Sequence, residues 1–229
     1  MIRIERLQPA PAILLSEGTA EGQSLCDRHD AGEREFHFKP RIYRHPTVLD
    51  ALNHCHRSKC SYCEQIIDTD GDIEHFRPKA AYYWLAYRWD NLLLACRDCN
   101  SAKLQKFPLE DEAHRAVTHR DDHRREKPLL LNPATDDIDT QIGWRSSVVY
   151  PKQSDRAGER TIATLKLNRI SLVKRRMEVL AQVDILLAAA ALTDAPIATR
   201  AMAHLETMQT PSHQYSAMIR AYLQSRFAK

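Results

Sequence analysis

Glycine is scarce in this chain, with 6 among 229 residues. That excludes a collagen, a flexible Gly-rich linker protein and a propeller built on repeated Gly turns. Long apolar runs are missing as well. The longest, residues 185–192, is about eight residues, whereas a bilayer span needs roughly twenty. A mean hydropathy of -0.50 agrees, and no membrane association is expected. Arg3, Glu5 and Arg6 followed by a short Pro-broken apolar patch fit no secretory signal. There is also no excess of one charge: Lys+Arg 33 against Asp+Glu 30 gives +3 with 11 His neutral. Bulk charge of that size makes no histone-like binder, so the placement of charge decides any nucleic-acid contact. No Gly-rich phosphate loop is present. These absences lead to a cytoplasmic protein. In that compartment 6 Cys are metal ligands or free thiols rather than disulfides.

Four regions are expected. Residues 1–45 show no period and are broken by Pro9, Pro11 and Pro40, so they read as an extended N-terminal arm. Residues 46–110 open with a short helix from Pro46 to about His54. A polar turn, Asp68-Thr69-Asp70-Gly71, then feeds the alternating strand Asp72-Ile73-Glu74-His75-Phe76. Residues 111–159 are a loop-rich connection with a strand pair between Asn132 and Tyr150. From residue 160 to 229 the chain is helical. Val173, Met177, Leu180, Val183 and Leu187 repeat at three and four as one buried face. Further helices start near Asp194-Ala195-Pro196 and near Ser212.

Cys60-x-x-Cys63 and Cys96-x-x-Cys99 are two identical knuckles. Each presents two thiolates to one tetrahedral ion at about 2.3 Å per bond, zinc by default. The stretch between them is longer than in a zinc ribbon, so the metal clamps the ends of a sizeable excursion. Cys26 and Cys55 are left as free thiols.

That excursion holds the parts of a phosphodiester hydrolase: a general base, a hard metal site and a group that orients the base. His75 is the natural base, Glu74 a hard oxygen ligand for magnesium, and Asn100 an amide facing a metal from a helix start. Lys103, one turn on, is placed to hold phosphate. Neighbours on an ideal strand point to opposite faces, so Glu74 and His75 share a site only where the strand is irregular.

The runs Asp72-Ile73-Glu74-His75-Phe76-Arg77-Pro78-Lys79, Trp89-Asp90-Asn91-Leu92 and Cys96-Arg97-Asp98-Cys99-Asn100-Ser101-Ala102-Lys103 resemble the HNH endonuclease motif. With the two CxxC pairs, they resemble the zinc-bearing branch of that family. The resemblance implies an α+β fold: a ββα-metal core clamped by a four-Cys zinc site. It makes His75 the base, Asn91 the middle residue that orients it, and Glu74 and Asn100 ligands of a catalytic Mg2+ or Mn2+, with Asp72 as accessory acid. Asn at the third place is similar to the HNH domain of the RNA-guided CRISPR nuclease. Arg77, Lys79 and Lys103 are the candidates for nucleic-acid contact.

The Cys-Ser-Tyr-Cys-Glu run, the Glu-His-Phe-Arg-Pro-Lys run, and Leu165-Lys166-Leu167-Asn168-Arg169 with Arg175 and Arg176 also resemble the nuclease subunits of Septu antiphage systems, the PtuB family. That resemblance implies a DNA-cutting effector controlled by a PtuA-like ATPase subunit. Three alternatives stay open beside it: a retron effector cutting RNA such as tRNA, a free-standing HNH endonuclease, and a degenerate zinc-binding scaffold. His54, His56, His114, His119 and His123 read as surface or loop residues, and the aromatic stretch from Tyr82 to Trp89 as core packing.

Overall fold

The computed structural model describes Met1 and residues 3–6, 9–67 and 71–227. Residues 68–70 of the expected polar turn lie outside the described residues.

The N-terminal region is helical, not an extended arm. A π turn at Leu14–Gly18 runs into α1 (Thr19–Asp30), and a single turn, α2 (Pro40–Tyr43), follows. The inward positions are Leu14, Gly18, Glu21, Leu25 and Cys26. Their spacing is helical, but a glycine and a glutamate occupy two of them, so no apolar period is visible. Glu21 is buried with Lys39 as its ion partner. Leu14, Leu25, Ile42 and Tyr43 enter the same core as the hairpin below.

Helix α3 (Pro46–His56) starts where expected. Pro46 presets the helical φ at the first position, and the His45 ring accepts from the Thr47 amide. The helix stops at Arg57, which turns left-handed at φ 52°. The antiparallel hairpin β1 (Gly71–His75) and β2 (Leu92–Cys96) follows, in register from Gly71 opposite Cys96 to His75 opposite Leu92. Leu92, Leu93, Leu94 and Ala95 are fully buried, which is why β2 reads as an unbroken apolar run rather than an alternation. Each such leucine contributes about 1.5–3 kcal/mol of burial. Gly71 is required by contact: a Cβ there would meet Leu94 Cδ1 at 2.7 Å.

The long connection between the strands makes tight turns at Tyr83–Leu85 and Trp89–Asn91. Tyr82, Tyr83 and Tyr87 are buried, so these aromatics are packing. Helix α4 (Arg97–Lys103) begins directly off β2, with Cys96 as its cap residue. The hairpin and α4 form the expected ββα unit.

After short turns comes α5 (Ile138–Gln141) and then the second hairpin, β3 (Ile142–Arg145) with β4 (Val148–Pro151). The helices α6 (Arg156–Thr164), α7 (Ile170–Ala190), α8 (Ala195–Gln209) and α9 (Ser216–Phe227) complete the chain. Asp155 caps α6 through the Gly158 amide at 2.6 Å, and Asp194 caps α8 through the Ile197 amide at 3.2 Å. Two sequence expectations shift. The buried stripe of α7 is Leu172, Arg176, Val179, Leu180 and Val183, while Met177 is 57% exposed. The stripe is rotated because the long arginine, not a hydrophobe, takes the central inward position. The last helix starts at Ser216 rather than near Ser212, since Tyr215 is left-handed at φ 54°.

Candidate active site

The two knuckles close on each other. Ligand atoms of Cys60, Cys63, Cys96 and Cys99 all lie within 4.8 Å of one another, and all four residues are buried. Cys60 and Cys63 sit on a tight turn in which the Glu64 amide donates to the Cys60 carbonyl at 3.1 Å. The Ser61 amide donates to the Leu94 carbonyl at 2.9 Å and so bonds this turn to β2. Cys96 and Cys99 come from the end of β2 and the first turn of α4. Four soft thiolates in one buried cluster make a structural zinc site. A zinc ion held by these four thiolates would tie the start of α4 to the turn at Cys60 and Cys63. His56 takes no part in it: its Nδ1 donates to the Leu52 carbonyl at 2.7 Å, and its Nε2 accepts from the Leu94 amide at 3.4 Å. His56 is buried, contrary to the surface expectation, because α3 turns it inward against β2.

His75 ends β1, and its ring is buried edge-on against Tyr43, with centroids 5.0 Å apart. Its Nε2 lies 2.9 Å from the Ala86 carbonyl. A carbonyl only accepts, so Nε2 carries the proton and Nδ1 keeps a lone pair. Burial first, and the Lys79 ammonium second, push the imidazole down to about 3, so the ring is neutral at working pH. Asn91 holds the loop that supplies Ala86. Its Oδ1 accepts from the Arg77 amide at 2.8 Å, and its Nδ2 donates to the carbonyls of Arg77 (3.0 Å) and Leu85 (3.1 Å).

Glu74 and His75 are neighbours in the regular ladder. Both border one cavity of about 220 Å³, together with Tyr43, Lys79 and Asn100. Asp72 and Asn100 are also brought together: the Asn100 amide donates to Asp72 Oδ2 at 3.0 Å, and Arg44 lies 3.5 Å from the other oxygen. Burial pushes the Glu74 carboxyl up against the opposing pull of Lys103. Its Oε1 is in contact with the Lys103 ammonium. A buried carboxylate beside a second carboxylate and an amide is a hard donor set that fits magnesium or manganese.

Two of the three phosphate candidates are engaged inside the fold. Lys103 is completely buried; besides Glu74, its ammonium donates to the His75 carbonyl at 2.8 Å. It therefore neutralises Glu74 and props the base strand instead of reaching out to phosphate. Arg77 donates to Glu126 at 2.8 Å and to the His123 carbonyl at 3.1 Å. Lys79, bonded to Tyr43 Oη at 2.9 Å, does face the cavity.

Sequence reasoning missed Glu126. It is buried and accepts from Arg77, from Tyr82 Oη at 2.8 Å and from the Ala116 amide at 2.9 Å. It pins the loop of residues 111–127, which has no period to betray it. The Leu-Asn motif acquires a physical role. Asn168 accepts from the Val149 amide at 3.0 Å and donates to its carbonyl at 2.8 Å, extending β4 with a side chain. Arg169 then reaches Cys99 Sγ at 3.6 Å. Arg176, buried, donates to the Leu167 carbonyl at 2.7 Å and lies over the Trp144 ring. These arginines bind the chain's own interior and not a nucleic acid.

The HNH endonuclease family profile matches residues 60–106, the stretch that holds both knuckles and the hairpin. A Septu protein PtuB of Bacillus mycoides (strain KBAB4) is 31% identical over 205 residues, which cover 81% of this chain and 69% of that protein. A Septu protein PtuA of the same strain is 30% identical over 136 residues, 53% of this chain but only 19% of that much longer protein. Among the described residues no helix is long and apolar enough to cross a membrane. The likeness to PtuB covers far more of the chain than the nuclease motif, which settles the family: this chain is an HNH endonuclease of the Septu PtuB family, an enzyme that hydrolyses phosphodiester bonds.

Proposed function

We propose that the enzyme cuts DNA in the cytoplasm as the effector of an antiphage complex, with His75 as general base and Asp72, Glu74 and Asn100 as the ligands of the catalytic ion. The observation that carries this reading is the His75 tautomer. Its Nε2 proton is fixed on the Ala86 carbonyl, which leaves the Nδ1 lone pair as the basic atom, on a residue that borders the same cavity as Glu74 and Asn100. Nδ1 takes a proton from water, the hydroxide adds to phosphorus, and the bond to the leaving oxygen breaks. The Ala86 carbonyl holds the positive ring that results. Asn91 acts through that carbonyl as a positioning residue. Magnesium or manganese, when bound, neutralises charge on the phosphate and the leaving oxygen. Lys79 is the side chain placed to meet a phosphate at the mouth of the cavity.

A PtuA-like ATPase is the proposed partner, and ATP acts through it. The likeness to Septu proteins of both names supports this reading, as does a chain that carries no phosphate loop of its own. A cleavage assay on plasmid DNA and on tRNA, with magnesium or manganese and with or without the ATPase, tests it. DNA cutting should fall about 10²–10⁴-fold in His75→Ala, with the bound zinc unchanged. His75→Ala cutting at the parental rate overturns the assignment of the base. Cutting of tRNA alone replaces DNA with RNA as the substrate.

A further inference from the structure

A second cluster of ligand groups lies apart from both sites. His29 and Asp30 end α1, and His119 belongs to the loop of residues 111–127; one ligand atom from each falls within 4.8 Å of the others. His29 Nδ1 is 3.7 Å from Asp30 Oδ1, and His119 Nε2 is 3.6 Å from Asp30 Oδ2. Tetrahedral coordination at about 2.0–2.1 Å per bond places ligand atoms about 3.3–3.4 Å apart, so the three groups, now within 4.8 Å of one another, would draw together by side-chain rotation around an ion.

Two further observations point the same way. His29 Nδ1 is buried and has no hydrogen-bond partner. Its ring is held by stacking on Tyr83, with centroids 5.0 Å apart at 18°. A buried imidazole nitrogen fixed in orientation and left without a partner requires an explanation. His119 is oriented by the same tyrosine. Its Nδ1 lies 2.8 Å from Tyr83 Oη, and its backbone amide donates to that oxygen at 3.4 Å. An ion on Nε2, the nitrogen that faces Asp30, requires Nδ1–H to donate to Tyr83 Oη. An outer partner that fixes the tautomer of a ligating histidine is the usual support of a metal site. The group also attracts a cation already: Arg120, 72% exposed, reaches Asp30 Oδ2 at 2.8 Å.

We infer that His29, Asp30 and His119 form a second metal site, for a divalent transition ion such as zinc, pinning α1 to the loop of residues 111–127 above the Tyr83 ring. Two imidazoles and a carboxylate suit zinc, nickel or cobalt rather than magnesium. The site keeps a fourth position for water or an outside ligand, and Arg120 swings off Asp30 when the ion binds.

Zinc titration of the full chain, already loaded with its four-cysteine zinc and kept in millimolar magnesium, tests this by stoichiometry. The parent should take up one further equivalent, with cobalt in that place lacking the thiolate charge-transfer band of the cysteine site. His29→Ala and His119→Gln should each lose the added equivalent while keeping the first. Tyr83→Phe should weaken it about 10–100-fold. Asn100→Ala, at the nuclease cavity, should still bind both. Circular dichroism and the retained cysteine zinc report whether each variant is folded. His119→Gln, at the loop end of the cluster, keeps the test open where His29→Ala fails to fold. A parent that binds no added zinc, a His119→Gln protein that binds it as tightly as the parent, or loss of the ion in Asn100→Ala overturns the proposal.

Discussion

Two buried histidines tie this fold to pH. Burial, the largest cause for each, pushes His75 and His56 from 6.5 down to about 3. Both stay neutral in the fold, whereas in the unfolded chain they take up a proton near pH 6.5. Between about pH 6.5 and 3 the unfolded state therefore binds more protons, and stability falls as pH falls. Each histidine contributes a slope of about 1.4 kcal/mol per pH unit, and the pair about 2.7. A domain with about 5–15 kcal/mol in hand cannot absorb that for long. Urea unfolding at pH 7, 6 and 5 should show the decline, and His56→Gln should roughly halve its slope. Stability that stays flat from pH 7 to 5 would contradict the burial of these rings. Little of this was legible at residue level. The motif pointed to His75, Asn91 and Asn100 because their spacing is local. It did not reveal that Lys103 and Arg77 turn inward, since their partners Glu74 and Glu126 reach them only through the tertiary fold.

At the scale of elements, the zinc joins more than the hairpin and α4. Four thiolates and one Zn2+ leave a net charge of -2 in a buried cluster, which requires compensation nearby. Arg169, just before α7, supplies part of it: its guanidinium reaches Cys99 Sγ at 3.6 Å and Asp98 at 3.3 Å. Removal of a ligand should be severe, because metal binding and folding are coupled. Cys96→Ser is expected to lose one equivalent of zinc together with cooperative unfolding. Arg169→Gln should retain the fold but release zinc to a chelator about 10–100-fold more readily. Arg175→Gln is the contrast, since Arg175 is exposed and, among the described residues, bonds Gln65 alone. Equal zinc retention in Arg169→Gln and Arg175→Gln would show that Arg169 is not part of the site. β1, α3 and α7–α9 were readable from period, caps and turn residues; the closed hairpin and α4 came from the family resemblance, and α6 begins at Arg156, inside the stretch expected to be loop-rich. Helix α1 was not, because Gly18 and Glu21 occupy inward positions where a pattern of apolar residues is sought.

At the scale of the molecule, the folded N-terminal region changes where a partner can dock. An extended arm without a core would have been the natural clasp, but Leu14, Leu25, Ile42 and Tyr43 belong to the central core. The tail remains. On α7, Ile170, Met177 and Ile185 are 75%, 57% and 68% exposed, opposite the buried stripe that packs on Trp144 and Tyr215 through Arg176. Positions 170, 177 and 185 stay within about 80° of one another at 3.6 residues per turn, so they form one outward apolar stripe. Lys174 lies within it, and Glu178 and Asp184 border it, all exposed. An apolar stripe with a mixed-charge rim suits a partner surface that is apolar at its centre and polar at its edge. With a PtuA-like ATPase as that partner, Met177→Asp and Ile185→Asp together should abolish co-elution with it. Truncating a central contact costs about 2 kcal/mol, about 30-fold in Kd, and a buried unpaired carboxylate adds to the loss. Both residues are exposed in the free chain, so the variant should keep its zinc and its thermal midpoint. A double variant that still elutes with the ATPase at micromolar concentration removes α7 as the docking face. If the parent chain also elutes alone and cuts DNA at full rate without ATP, it works as a free-standing endonuclease.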